Sequence, residues 1–97
     1  MGELIQNYGQ LMDELLGGSI HPVQFQRFYL ERFKREAFME EPLFQILDAL
    51  FGVVDAYCAD AEIRKTLSET AINDSELYAE VRKARDRLTE LESRDSQ

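Results

Sequence analysis

In the stretch Glu40-Glu41-Pro42-Leu43-Phe44-Gln45-Ile46-Leu47-Asp48-Ala49-Leu50-Phe51-Gly52-Val53-Val54-Asp55-Ala56-Tyr57, apolar residues recur at 43, 46, 47, 50, 51, 54 and 57. Spacings of three and four place them on one wide face of an α-helix. Pro42 disfavours helix in the residue before it yet fits a first helical turn, so the spacing predicts a helix from about residue 42 to 58. A helix apolar over so wide an arc must be covered by several neighbours.

The flanking segments supply those neighbours. Leu4, Ile5, Tyr8, Leu11, Met12, Leu15 and Leu16 form a second apolar stripe, a helix over roughly 3–16 that Gly17-Gly18 terminates. Ile20-His21-Pro22-Val23-Gln24-Phe25 is a helix-start signal: Pro22 at the first helical position, Gln24 at the third, Ile20 and Phe25 as a hydrophobic staple. Phe25, Phe28, Tyr29, Phe33 and Ala37 then make a bulky stripe, predicting a helix over 22–38 that walls the core, with Arg27, Arg32, Lys34 and Arg35 on its outer face. Residues 59–73 predict a short helical turn within a connection. Asn73-Asp74-Ser75-Glu76 is a capping box, and Leu77, Val81, Ala84, Leu88 and Leu91 carry a last helix to about 91.

Four amphipathic helices without strand-like alternation predict an all-α protein, an antiparallel four-helix bundle. The 97 residues allow one domain, expected over 1–92, with 93–97 as a frayed polar tail. The single cysteine, Cys58, forms no internal disulfide and suits a reducing compartment, the cytoplasm. No signal-peptide pattern opens the chain, and no apolar run approaches the roughly 20 residues that span a bilayer. Membrane attachment is therefore not expected.

Catalysis requires a nucleophile, an acid–base pair or a metal held in place. The one histidine, His21, stands at a helix start, and Cys58 follows an apolar helix as a filler. No cysteine pair, glycine-rich phosphate loop or aspartate-rich calcium loop occurs, so neither an enzyme nor a cofactor or metal site is expected.

Nineteen acidic against eleven basic residues give a net charge of −8. That balance disfavours nucleic acid as a direct partner and favours a basic protein. The excess is concentrated: residues 36–80 hold eleven carboxylates against two bases, Arg64 and Lys65. Asp48 and Asp55, seven apart, project from one edge of their helix, and the line extends toward Asp60 and Glu62. Glu76 and Glu80 stack four apart on the last helix, a spacing that mildly destabilises like charges. Carboxylates gathered without bases suit a cationic ligand, with Tyr57 and Tyr78 as candidate anchors near the centre.

Three blocks resemble the colicin D immunity family of bacterial self-protection proteins: Gly18-Ser19-Ile20-His21-Pro22-Val23-Gln24-Phe25 leading to Phe33, Leu47 to Tyr57 followed by Asp60, and Glu76-Leu77-Tyr78-Ala79-Glu80-Val81-Arg82. The resemblance implies a helical bundle that inhibits a nuclease toxin made by the same cell, one that cuts transfer RNA, by presenting carboxylates to its basic cleft. Carried onto this chain, the contacts are Asp48, Asp55, Asp60 and Glu62, with Glu76 and Glu80 as a second group. The basic face of the second helix departs from that pattern. The alternative is a dimerisation or adaptor module that binds a partner through an apolar groove.

Overall fold

The computed structural model describes residues 2–36, 39–58 and 72–95. Four helices account for most of them: α1 (Gly2–Leu16), α2 (Pro22–Arg35), α3 (Glu41–Ala56) and α4 (Asp74–Asp95). α1 and α3 each pack against both α2 and α4, so the helices stand at the corners of a square. Partners along the seams run in opposite directions: Tyr29 meets Leu47 while Gln26 meets Val54, and Tyr57 at the end of α3 meets Asp74 at the start of α4. This is the antiparallel bundle that the periodicity predicts.

The core takes its stripes from all four helices. Ile5, Tyr8, Met12 and Leu15 of α1, Phe25 and Tyr29 of α2, Leu43, Leu47 and Val54 of α3, and Leu77, Val81 and Leu88 of α4 are buried. Tyr29 stands at the centre of an aromatic series. Its ring meets Tyr8 edge-on at 5.6 Å and lies 5.6 Å from Phe25 and 6.1 Å from Phe33, which in turn packs 5.0 Å from Phe51. Aromatic pairs at such separations add stabilisation beyond the area they bury.

Two side chains of α2 bond the backbone of α3. The Tyr29 hydroxyl donates to the Leu47 carbonyl at 2.7 Å. Gln26 Nε2 donates to the carbonyls of Val54 and Tyr57, at 3.0 and 2.9 Å, two acceptors at a helix end where intrahelical partners run out. On the opposite seam Arg85 of α4 holds Asp13 of α1 through two bonds, Nε to Oδ1 at 2.8 Å and Nη2 to Oδ2 at 3.2 Å.

The local signals are found where the sequence places them. Gly18 adopts φ 85° after α1, a conformation that side chains resist. The His21 N–H donates to Gln24 Oε1 at 2.9 Å, and Asn73 and Glu76 exchange their capping bonds, Glu76 N–H to Asn73 Oδ1 at 2.9 Å and Asn73 N–H to Glu76 Oε1 at 3.4 Å.

Four expectations need correction. α2 stops at Arg35, not 38, because Glu36 turns extended, at φ −69° and ψ 117°; Ala37 lies outside the described residues. Phe28 is 45% exposed rather than in the core, since Phe25, Tyr29 and Phe33 occupy the buried row and Phe28 points beside it toward α1. α3 ends at Ala56 with Tyr57 as its cap. α4 continues beyond residue 91 to Asp95: no proline or glycine interrupts it, and Arg94 pairs with Glu90 one turn back at 2.9 Å. Of the segment 59–73, where a short helical turn is expected, residues 59–71 lie outside the described residues.

Burial holds the phenols of Tyr8 and Tyr29 above the ordinary tyrosine range, with Glu36 raising Tyr8 further and Arg32 opposing it, and with Tyr8 and Asp48 raising Tyr29. The two differ in bonding, because the buried Tyr8 hydroxyl has no hydrogen-bond partner among the described residues. Tyr29→Phe should therefore cost about 1–2 kcal/mol in urea unfolding, whereas Tyr8→Phe should be neutral or stabilising. A raised folded-state pKa keeps its full stabilisation below the unfolded value of 10.0 and loses it as pH rises beyond, where only the unfolded phenols release protons. Stability should fall above pH 10, and less steeply in the doubly substituted Tyr8→Phe, Tyr29→Phe protein.

Candidate acidic interaction surface

Burying Leu43, Leu47, Leu50 and Val54 turns the opposite side of α3 outward. That side carries Glu41, Asp48 and Asp55, all exposed and seven residues apart, so about 10 Å separates each from the next along the axis. Among the described residues neither Asp48 nor Asp55 has an ion-pair or hydrogen-bond partner. Phe44 and Phe51, on either side of Asp48 in sequence, pack against Phe33 of α2, so the line lies toward the α2 side of α3. Phe44, 43% exposed and stacked 6.1 Å from Phe33, lies beside it and supplies apolar area next to the carboxylates.

The carboxylates of α4 are engaged differently. Tyr57 is 5% exposed, and its hydroxyl donates to Asp74 Oδ1 at 2.5 Å, tying the end of α3 to the start of α4. A short parallel bridge between Tyr57 and Ile72 reinforces this junction, with the Ile72 N–H donating to Ala56 O and the Cys58 N–H to Ile72 O, both at 3.0 Å. Glu76 serves the capping box, and Glu80, half-buried in the shallow groove beside Ile46 and Ala49, accepts from Lys83 at 3.4 Å. Tyr78 is half-buried and packs on the core.

The predicted site residues therefore fall into groups. Asp48 and Asp55 stand on one line without a partner among the described residues; Glu76 and Glu80 lie on the adjacent helix with structural partners; Tyr57 holds the junction from inside rather than presenting a surface; Asp60 and Glu62 lie outside the described residues. Glu41 and Phe44 join the surface without having been singled out. The spacing of seven from Glu41 to Asp48 was visible, but Glu41 reads equally as a helix-start acid.

A second concavity, about 520 Å³, opens between α1 and α2. Exposed Phe28 borders it, and its charges have both signs, Arg32 and Arg35 facing Glu14, Glu31 and Glu36. With charges of both signs in its lining, this cleft is not an apolar groove. The outer face of α2 is basic as predicted, with Arg27, Arg32, Lys34 and Arg35 exposed. Among the described residues no group of three or more His, Cys, Asp and Glu side chains is placed to hold a metal ion, and no helix is long and apolar enough to cross a membrane.

Compared with known proteins, residues 4–88 match the model of a family described as bacterial self-protective colicin-like immunity. No curated protein and no solved structure matches the chain.

The bonding separates structural from free acidic groups. Tyr57→Phe, which removes the bond to Asp74, should cost about 1 kcal/mol in urea unfolding. Asp48→Asn and Asp55→Asn should each change stability by less than about 0.5 kcal/mol, as surface substitutions away from structural contacts do.

Proposed function

The chain belongs to the family of bacterial self-protective colicin-like immunity proteins, and from that premise we propose that it binds a nuclease toxin of its own cell and covers the toxin's basic active-site cleft. The observation that carries the choice of surface is the line of exposed carboxylates on α3, in which Asp48 and Asp55 have no partner among the described residues. A nuclease that grips RNA gathers lysines and arginines around its substrate's phosphates. Carboxylates held about 10 Å apart on a rigid helix compete for those cations without being cleaved.

The reading has two physical parts. Opposite charge steers encounter, raising the association rate in a way that salt suppresses. Lifetime then depends on a desolvated centre, for which Phe44 beside Asp48 provides apolar area, with Glu76, Tyr78 and Glu80 extending the surface onto α4. A transfer-RNA-cutting toxin agrees with phosphate mimicry, and its substrate places the encounter in the cytoplasm. The chain acts by occupancy and carries out no chemistry of its own.

Growth rescue tests this. The toxic domain encoded beside this gene should kill cells when expressed alone and spare them when this chain is co-expressed. The purified complex should weaken steadily as salt rises. Asp55→Lys or Asp48→Lys should cost about tenfold or more in affinity while the helical circular-dichroism signal is unchanged. Toxicity unaffected by this chain would reject the reading, and binding indifferent to salt would reject the acidic surface as its basis.

A further inference from the structure

Gly52 lies inside α3, well short of its end at Ala56, and is exposed. Glycine is a poor helix former, because it loses more backbone freedom on folding than any other residue. Two intramolecular reasons commonly justify one, and neither applies. Its backbone is not in the left-handed region, where Gly18 stands alone among the described glycines. Nor does a described neighbour press on it: among the described residues a Cβ added there would meet nothing within 4 Å. The position therefore carries a helix penalty for which the described fold gives no return.

The same molecule shows what such a glycine can do. Gly9 on α1 has the guanidinium of Arg85 lying over it, 3.1 Å from where a Cβ would be. That guanidinium is held by both carboxylate oxygens of Asp13, one turn further along α1. Helical side chains tilt toward the N-terminus, so a carboxylate three or four residues beyond a glycine leans back over it. A planar guanidinium then rests on bare helix backbone with a carboxylate at its edge. Gly52 has Asp55 three residues beyond it, where Gly9 has Asp13 four beyond, so Asp55 also neighbours its glycine on the helix surface, and the described residues supply no arginine there.

We propose that Gly52 and Asp55 form a seat for one arginine of the toxin, its guanidinium lying flat on the exposed backbone of α3 and bonded to the Asp55 carboxylate. Asp48, on the other side of the glycine, adds negative potential to the approach. Arginine fits better than lysine, because only a planar fork can both stack on the glycine and engage two carboxylate oxygens. The inference rests on the toxin-binding reading above and names the point of closest approach within it.

The test is Gly52→Ala, measured in the full chain with the toxic domain encoded beside its gene. The melting temperature should rise by about 5 °C, as expected for removing a helix-interior glycine with no clash. Affinity should fall about tenfold or more, because the new methyl group lifts the guanidinium from its seat. Replacing the toxin's arginines singly by alanine should find one whose loss is not additive with Gly52→Ala, the signature of direct contact. Undiminished binding by Gly52→Ala, with Asp55→Lys still disruptive, would overturn the seat and leave the acidic surface standing. Lower stability in Gly52→Ala would also overturn it, by showing that a group of this chain rests on the glycine. A wild-type chain that does not bind the toxin would defeat both the seat and the reading beneath it.

Discussion

The bonds that α2 makes to the backbone of α3 set the rest of the structure. Tyr29 reaches the Leu47 carbonyl in the middle of α3, and Gln26 reaches the carbonyls of Val54 and Tyr57 at its end. Hydrophobic burial alone leaves a helix with so broad an apolar arc some freedom to roll, because several rotations cover similar area. Three directional bonds to fixed carbonyls remove that freedom. With α3 so oriented, Leu43, Leu47, Leu50 and Val54 enter the core, and Asp48, Gly52 and Asp55 face outward.

The acidic residues, alike in composition, divide by the work they do. Asp13 is spent on Arg85, Asp74 on Tyr57, and Glu76 on the cap of α4. Each joins two elements or closes a helix end. What remains unbonded on α3 has no comparable task within the described fold, and a row of unneutralised carboxylates is a cost borne by the monomer. In the proposed reading a basic toxin supplies the balancing charge.

Much of the fold was legible because it depends on local spacing. The stripes at three and four, the Gly17-Gly18 stop, the proline starts at 22 and 42 and the Asn73–Glu76 box each involve residues within one or two turns of one another. What escaped depends on neighbours brought together by folding. Phe28 reads as core by its aromatic character, yet it borders a polar part of α1 and stays half exposed. Gln26 looks like any surface glutamine until the end of α3 is set beside it. Tyr57 reads as an anchor for a partner because it follows the acidic helix, but the parallel bridge to Ile72 draws it into the core and turns its hydroxyl to Asp74. The candidate site was legible as charge density, whereas the distinction between carboxylates that are bonded and those without a partner among the described residues required three dimensions.

The central claim is that the outward line of α3 is the surface that meets the toxin. It is tested most directly by titrating the isotopically labelled chain with the toxic domain and following its amide resonances. The account predicts perturbation concentrated from Glu41 to Asp55 and continuing onto the first turns of α4, with Gln10, Phe28 and Arg35 around the α1–α2 cleft unmoved. Perturbation centred on that cleft, with α3 silent, would contradict it.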